Sequence, residues 1–352
     1  MRNYIFIFYS IFFLFDISNA QTLSNEMKGY VFDETTGYPL ENVNVYIANT
    51  TFGSSTNREG YFNIKGVPPG IKEIVVTIIG YEVKTHSVLI HKDSHVELKF
   101  RLKPVIYEVE ATEVIADFPT EWLRDLKHFT KLFIGQSEFA ENCELKNPEV
   151  VDFTWSASGI MRASAQKPLM IINHSLGYRI RCVLVTFIWN KKKNKCSWLA
   201  KSEFTDIQNA NSMQRKMWTL NRKRAYYGSL IHFLKSMIER RLLKDNFVTY
   251  FVDEPGQRNK QQELLQSTID YNYVLKPSPI ESEYSVDFIR YMCVIYNSVH
   301  SSWIKLTGAS VLVDLWGQPQ EPNPFDLYGY WSEKGIADQL PMYFDPNESQ
   351  FE

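Results

Sequence analysis

The stretch Val43-Asn44-Val45-Tyr46-Ile47 decides the fold of the N-terminal part of the chain, because apolar side chains occupy alternate positions in it. The same alternation runs through Val96-Glu97-Leu98-Lys99-Phe100-Arg101-Leu102. A period of two residues predicts strands that pack one face and leave the other in water. Further short runs of β-branched and aromatic residues lie at residues 29–32, 61–64, 74–79 and 87–90. Together they predict an antiparallel Greek-key β-sandwich over residues 28–103.

Glycines punctuate these strands at the places where the chain must turn. Gly37 and Gly60 stand in polar turn sequences, where tight turns need a positive φ. Gly70 closes a Pro-Pro-Gly corner, and Gly80 precedes Tyr81 at a point where a strand can bend. We therefore interpret all four glycines as structural turn residues.

Several of these turns occur in an order that resembles a known family. The segments that carry the resemblance are Gly29-Tyr-Val-Phe-Asp33, Gly37-Tyr-Pro-Leu40, Val43-Asn-Val45, Gly53-Ser-Ser-Thr56, Gly60-Tyr-Phe62, Val67-Pro-Pro-Gly70 and Ile79-Gly-Tyr81. This part of the chain is similar to the carboxypeptidase regulatory-like domain, which has a transthyretin-like β-sandwich fold. The resemblance implies a folding or interaction module of the kind that precedes exported or outer-membrane modules in Bacteroidetes. Some related sandwiches bind carbohydrate.

The family name does not bring peptidase chemistry with it. Zinc carboxypeptidases need a close His/Glu ligand pair, and the sequence has neither HxxE nor HExxH. It also lacks GxSxG, GxxxxGK[ST] and GxGxxG. Asn57 stands where an Asp is common in the family, which argues against calcium at that turn. We predict no catalytic, metal or cofactor-binding residues. The remaining enzymatic alternative is a hydrolase built around Cys143, His174 or His232.

The N-terminus predicts export. Arg2 precedes an apolar run at residues 4–15, and Ser18-Asn19-Ala20 presents small residues before a cleavage point. This pattern is typical of a signal peptide over residues 1–20, and an uncleaved anchor is the alternative. A linker at residues 21–27 would follow. The sequence has no later apolar run of about 18 residues. We expect a periplasmic, outer-membrane-associated or secreted protein without a transmembrane segment.

Composition favours a folded protein with large aromatic cores. The hydrophobic fraction is 44%, and 14% of the residues are Phe, Trp or Tyr, which excludes global disorder. The formal net charge of −2 does not favour a polyanionic partner such as nucleic acid. Four cysteines are too few for a disulfide scaffold, so we expect buried thiols and leave one bridge open. They are Cys143, Cys182, Cys196 and Cys293.

A connector at residues 104–119 leads into a larger α+β domain at residues 120–352. Pro119 and Thr120 predict a helix start with Thr120 as N-cap, and Gly135 predicts its end. Strands are predicted within residues 150–204, with a Lys-rich hairpin turn at 191–193. Later strand-like runs lie at residues 247–252, 271–275, 286–296, 303–306 and 310–315. The Pro- and Asp-rich residues 317–352 are expected to wrap the surface.

One long amphipathic helix is predicted at residues 221–244, from apolar residues that recur at helical spacing. Residues 213–245 carry nine Lys or Arg against two acidic residues, whereas residues 314–352 carry one Lys against eight. These segments either face each other or are separately solvated. The alternative is a contact with an anionic surface. Its residues would be Arg222, Arg224, Arg240 and Arg241.

The C-terminal domain also resembles the part that accompanies the same sandwich in other Bacteroidetes proteins, and this resemblance implies no activity. The residues that carry it include Phe133-Ile-Gly135, Asn142-Cys143, Leu176-Gly177-Tyr178 and Tyr226-Tyr-Gly-Ser229. Three hypotheses about function remain. The first is a non-catalytic envelope protein that binds another envelope protein. The second is a carbohydrate-binding protein with a planar row of exposed aromatic residues, and the third is the hydrolase.

Overall fold

The computed structural model describes residues 25–105, 118–279 and 283–348. The predicted signal peptide, most of the linker and most of the connector lie outside these ranges. Within them the chain is mostly β, with a β domain at the N-terminus and an α+β region after it. The predicted fold class is confirmed, and corrections to individual elements are given below.

The N-terminal domain is a sandwich of two sheets, with strand orders β4-β1-β7 and β3-β2-β5-β6. Its strands are β1 (Glu26–Asp33), β2 (Asn44–Ile47), β3 (Gly53–Ser55), β4 (Tyr61–Lys65), β5 (Gly70–Thr77), β6 (Lys84–Ile90) and β7 (His95–Leu102). The pairing of β1 with β7 is parallel, whereas the other pairs are antiparallel. The expectation of a wholly antiparallel sandwich is therefore wrong at this pair, because β7 returns to the first sheet in the direction of β1.

The core of the sandwich follows from the alternation seen in the sequence. Val43 and Val45 are fully buried, and Phe62 and Phe100 from the other sheet pack into the same cluster. Each such side chain contributes about 1.5–3 kcal/mol on burial. Gly60 has φ 73°, and a Cβ there would lie 2.5 Å from the carbonyl oxygen of Val31. The other predicted turn glycines, Gly37, Gly70 and Gly80, also have positive φ.

The first half of the C-terminal region is built on one large sheet of order β8-β11-β12-β10-β9, with β13 paired to β12. Phe129 and Phe133 of α1 pack onto this sheet. The helix begins at Thr120 as predicted, but Pro119 is its N-cap residue and no side chain caps it. The elements are α1 (Thr120–Phe133), β8 (Cys143–Leu145), β9 (Val151–Trp155), β10 (Ile160–Ala165), β11 (Leu169–Asn173), β12 (Tyr178–Asn190) and β13 (Lys195–Asp206).

The predicted single helix at residues 221–244 is wrong. The structure has α2 (Ser212–Tyr226) and α3 (Leu230–Ile238), separated by Gly228 with φ 82°. A Cβ at Gly228 would lie 2.5 Å from the ring of Tyr296, so close packing requires glycine at this position. The side chain of Ser229 then accepts the amide of His232 and caps α3. The apolar spacing continues across this break, which is why periodicity alone did not reveal it.

The second half contains the sheets β14-β17-β18-β20 and β15-β16-β19. The predicted strand at residues 271–275 is mostly a helical turn, because the side chain of Asp270 caps Asn272. The elements are β14 (Phe247–Val252), α4 (Lys260–Leu264), α5 (Tyr271–Val274), β15 (Leu275–Pro277), β16 (Glu283–Val286), β17 (Tyr291–Tyr296), β18 (His300–Leu306), β19 (Val311–Asp314) and β20 (Phe325–Gly329).

The end of the chain does not merely wrap the surface, which corrects the expectation for residues 317–352. Its strand β20 joins the second large sheet, and Trp331 lies in the core of that half with 4% exposure. Ile336 and Ala337 are fully buried in the core of the first half. Farther on, the amide of Met342 donates to the carbonyl oxygen of Asn49 in the sandwich, at 2.7 Å. The C-terminal segment therefore contacts all three parts.

All four cysteines are free thiols. Cys182 lies opposite Ser202, and Cys196 lies opposite Trp189, so the two flank the hairpin without facing each other. They stand at unequal distances from the hairpin turn, so the register of the two strands keeps them apart. Burial raises the pKa of the Cys143 and Cys196 thiols to about 12.

Candidate binding cleft

The sandwich is joined to the C-terminal region through a backbone contact at its β2–β3 turn. The amide of Asn49 donates to the carbonyl oxygen of Ser202 at 2.6 Å, and the side-chain oxygen of Asn49 accepts the Ser202 amide at 3.1 Å. The amide of Phe204 donates to the carbonyl oxygen of Thr50 at 3.0 Å. The turn thus lies along the free edge of β13 as a short parallel bridge. We call this contact the joint.

Side chains around the joint are buried and paired. The Tyr46 hydroxyl donates to the Lys201 carbonyl oxygen at 3.1 Å, and the Lys201 ammonium lies 2.6 Å from Glu73. Lys72 is 5% exposed, and its ammonium donates to the hydroxyl of Tyr343 at 2.8 Å. Burial lowers the pKa of Lys72 to about 8. The sandwich therefore packs against the C-terminal region through polar contacts that are stable only where water is excluded from the interface.

A large cleft lies between the two halves of the C-terminal region. Its volume is about 1460 Å³, and we call it the central cleft. Residues 195–200 of β13 form part of one wall, and residues 325–329 of β20 form part of the other. Lys195 and Asp326 bridge the two walls at 2.7 Å. The cleft therefore depends on a strand from each half, joined by an ion pair.

Basic side chains outnumber acidic ones in the lining of the central cleft. Lys195 and Lys334 are paired with Asp326 and Asp338. Three further lysines have no carboxylate within ion-pair distance among the described residues. The unpaired ammonium groups give the cleft a positive potential, which low-dielectric walls strengthen. They belong to Lys131, Lys193 and Lys235.

Aromatic rings are also abundant in the cleft lining. Trp316 is 39% exposed and lies beneath the Lys235 ammonium, which is 5.1 Å from its ring centroid. Tyr330 stacks on His300 with centroids 4.0 Å apart. Large flat side chains beside lysines form a surface suited to a ligand that carries both apolar and anionic groups.

The four arginines proposed for an anionic surface do not form one. Arg222 is 2% exposed, and its guanidinium donates to the Leu176 carbonyl oxygen and pairs with Asp206. Arg224 binds both carboxylate oxygens of Glu138. The other two lie after α3, where Arg241 pairs with Asp245 and Arg240 is exposed. The structure separates these residues because the helix that would have aligned them is broken. Arg224 alone lines the central cleft.

Cys143, His174 and His232 are not assembled into a catalytic pair, and none of them lines the central cleft. Cys143 lies opposite the buried Asn173, so His174, the next residue along, faces the other side of the sheet. The Nδ1 of His232 accepts the Gly228 amide at 3.0 Å, which occupies the atom that would act as a base.

The described residues contain no group of three potential metal ligands. Among the described helices, none is both long and apolar enough to span a bilayer.

The lysines and strand edges of the central cleft were not identified from the sequence. Lys193 was predicted only as part of a Lys-rich hairpin turn, and Lys131 was not singled out. The lining comes from segments more than 100 residues apart, and only the excess of positive charge at residues 213–245 hinted at it. The acidic end of the chain meets this basic segment at Lys235 and Trp316, in a cation–π contact.

Comparison with known proteins confirms the resemblance seen in the N-terminal sandwich. Residues 27–114 match the family described as "CarboxypepD_reg-like domain", so the sandwich is a carboxypeptidase regulatory-like domain. The matched range runs past residue 103 into the connector. A search of curated proteins found no match.

Solved structures give weaker likenesses. A 5-hydroxyisourate hydrolase from Klebsiella pneumoniae is 20% identical over 23% of this chain and 91% of its own, with a TM-score of 0.21. A type II cohesin–X-dockerin complex from Acetivibrio cellulolyticus is 22% identical over 32% of this chain and 76% of its own, with a TM-score of 0.22. At such low TM-scores, neither likeness carries an argument about the function of this chain.

Proposed function

We propose that this chain is a non-catalytic, exported envelope protein whose sandwich is a folding and docking module and whose C-terminal region binds another protein. The proposal of export rests on the N-terminal sequence pattern at residues 1–20. The observation that carries the proposal is the central cleft. Its volume of about 1460 Å³ exceeds the roughly 300–1,000 Å³ of ordinary small-molecule pockets.

The joint supports the role of the sandwich. An exposed strand edge invites pairing with other chains, and native proteins cover such edges. The turn at Asn49 and Thr50 covers the edge of β13 at Ser202 and Phe204. The sandwich thus docks within its own chain, where it protects the sheet that forms one wall of the central cleft.

The hydrolase alternative has less support than binding. A cysteine nucleophile acts as the thiolate, and reactive cysteines have a lowered pKa. Burial and the nearby Asp338 instead raise the pKa of Cys143 to about 12. At neutral pH this thiol stays protonated.

A crosslinking pull-down of the mature protein from its native envelope tests the proposal. Ser197 is exposed on the β13 wall of the cleft, so Ser197→Trp would narrow the cleft. The matched control is Ser55→Trp, at an exposed position on the sandwich outside the cleft. We expect one stoichiometric protein partner that is retained by the wild type and the control and lost with Ser197→Trp. A partner retained equally by both variants would contradict binding in the cleft.

A second candidate function is carbohydrate binding, favoured by a row of aromatic rings on the outer face of sheet β4-β1-β7. The rings of Tyr30 and Phe32 stack with centroids 6.2 Å apart and planes 25° apart. Tyr61 lies 5.3 Å from Tyr30 on the neighbouring strand. A glycan array with the wild type and Tyr30→Ala tests this function. An empty array for the wild type would reject it, whereas binding lost in the variant would support it.

A further inference from the structure

Both strands that line the central cleft have a free edge. On one side β13 pairs with β12, and on the other the joint covers only the part near Ser202 to Phe204 within the described residues. In the opposite wall β20 pairs with β18 alone in the described part of the chain. The cleft is thus bordered by two strand edges that have not been used for sheet pairing.

The direction of the backbone groups follows from the bonds already made. The amides of Ser202 and Phe204 point away from β12, because they bond to the turn of the sandwich. Alternation along a strand places the amide of Ala200 on the same side. Just before β20, the Thr307 amide donates to the Pro324 carbonyl oxygen, so these two residues form a hydrogen-bonded pair. Because hydrogen-bonded and non-hydrogen-bonded pairs alternate, the amide and carbonyl groups of Leu327 point away from β18. These groups offer donors and acceptors to an added strand.

The dimensions fit an extended chain. The two edges comprise residues 195–200 and 325–329, each about 17–20 Å long at roughly 3.3 Å per residue. An added strand gains affinity from its main-chain hydrogen bonds and specificity from alternate side chains. The half-buried side chains of Trp198 and Leu199 on β13 and Leu327 on β20 provide apolar contacts for it.

The charge of the cleft indicates which kind of extended segment it can bind. Lys131, Lys193 and Lys235 line it without a carboxylate at ion-pair distance in the described structure. Of the acids in its lining, Asp326 and Asp338 are paired with lysines, so Glu333 is the one carboxylate that opposes these three ammonium groups among the described residues. A ligand with carboxylates on one face would complement the free ammonium groups and associate faster at low salt. A basic ligand would be repelled.

We propose that the central cleft binds an extended, acidic segment of a partner protein, which adds as a strand to the open edge of β13. The inference rests on the proposed function and specifies the chemistry of the partner. The acidic side chains of the segment face the three lysines, and its apolar side chains face the cleft walls.

The test uses the mature full-length protein and a fluorescein-labelled dodecapeptide of alternating Glu and Val. Fluorescence anisotropy should detect binding that weakens about tenfold between 50 mM and 500 mM salt, because exposed ion pairs are screened. Lys131→Gln, Lys193→Gln and Lys235→Gln combined should weaken binding about tenfold. The matched control removes three exposed lysines outside the cleft, by Lys191→Gln, Lys192→Gln and Lys244→Gln. Its affinity should stay within about twofold.

Two peptide controls separate strand addition from simple charge attraction. A peptide with Pro at alternate positions keeps its acidic residues but lacks the amides needed for pairing. Hydrogen exchange should slow at Ala200 when the original peptide binds. Equal binding of the Pro peptide, or of an alternating Lys and Val peptide, would overturn the inference.

The remaining outcomes distinguish this inference from the proposed function. If no peptide binds but the envelope pull-down still yields a partner that is lost with Ser197→Trp, the inference fails and the proposed function stands. If the pull-down fails as well, both fail. Self-association of the chain that Ser197→Trp abolishes would assign the cleft to a second copy and overturn the inference.

Discussion

The sandwich and the C-terminal segment at residues 325–344 are stabilised in different ways. The sandwich pairs its strands within residues 26–102 and fills its own core. The C-terminal segment instead adds β20 to one sheet, Trp331 to one core and Ala337 to another. It also reaches the sandwich at Asn49. The first is a local unit, whereas the second holds separate units together.

This difference determines which parts of the molecule a substitution should destabilise. A change within a local core destabilises mainly the unit that contains it, and distant effects add independently. A change in a segment shared by several cores should destabilise more than one of them. All eight tryptophans lie between residues 122 and 331, so tryptophan fluorescence reports on the C-terminal region alone. The two behaviours can thus be observed separately.

The largest effect should come from Trp331→Ala. Trp331 packs against Phe233, and its indole nitrogen donates to the Gly228 carbonyl oxygen at 2.8 Å. Removing a buried Trp should lower the free energy of unfolding of the C-terminal region by about 3–5 kcal/mol. Urea titration followed by tryptophan fluorescence measures this loss.

The control for that change is Trp316→Ala, because Trp316 is 39% exposed in the same end of the chain. It should lower the free energy of unfolding by about 1 kcal/mol. Hydrogen exchange in β1 and β7 should stay unchanged with either variant. Similar losses for the two tryptophans would show that the C-terminal segment wraps the surface after all.

The same comparison explains how much the sequence could predict. Alternation and turn glycines predicted the sandwich because its pairing partners lie within one short stretch of chain. The Lys-rich turn sequence likewise predicted the hairpin of β12 and β13, whose turn at residues 191–194 joins strands that are adjacent in the chain. Periodicity did not predict the parallel pairing of β1 with β7, since alternation carries no information about direction.

The central cleft could not be predicted because it depends on the positions of distant segments. Lys131 and Lys235 lie in different helices, and nothing local distinguishes them from solvated lysines. The break at Gly228 depends on the ring of Tyr296, which is 68 residues away in the sequence. Arg222 belongs to a helix with a strongly basic sequence, yet it is buried against carbonyl oxygens that the sequence pattern does not reveal.

A second, smaller effect concerns acid. His232 is 6% exposed, and burial lowers its pKa from 6.5 to about 4, although the facing Asp245 raises it and Arg241 and Lys235 lower it further. The unfolded chain takes up this proton near pH 6.5, and the folded chain only near pH 4. The unfolded state therefore binds more protons in this window, so stability falls as the pH drops from about 6.5 to about 4.

The variant His232→Asn isolates this contribution, because its side-chain oxygen can still accept the Gly228 amide but does not titrate. Between pH 7 and pH 4.5, the C-terminal region of the wild type should lose on the order of 2–3 kcal/mol more than the variant. Urea midpoints by tryptophan fluorescence at both values measure the difference. Equal losses in the free energy of unfolding for the wild type and the variant would mean that other groups account for the acid sensitivity.

The smallest effect tests whether the sandwich stabilises the C-terminal region through the joint. Asn49→Ala removes the side-chain oxygen that accepts the Ser202 amide and leaves that buried donor without a partner. The expected loss is about 1–2 kcal/mol in the free energy of unfolding of the C-terminal region. Tryptophan fluorescence should detect it, although the substitution lies in the sandwich.

The matched control for the joint is Asn42→Ala. Asn42 and Asn49 both have φ 62°, so alanine introduces the same backbone strain at each position. Asn42 is exposed and lies outside the joint, and its substitution should leave the tryptophan transition unchanged. A shift of that transition with Asn49→Ala alone would mean that the sandwich stabilises the wall of the central cleft. If neither variant shifts it, the sandwich does not stabilise the C-terminal region through the joint. The proposal that it is a folding module for this chain is then wrong.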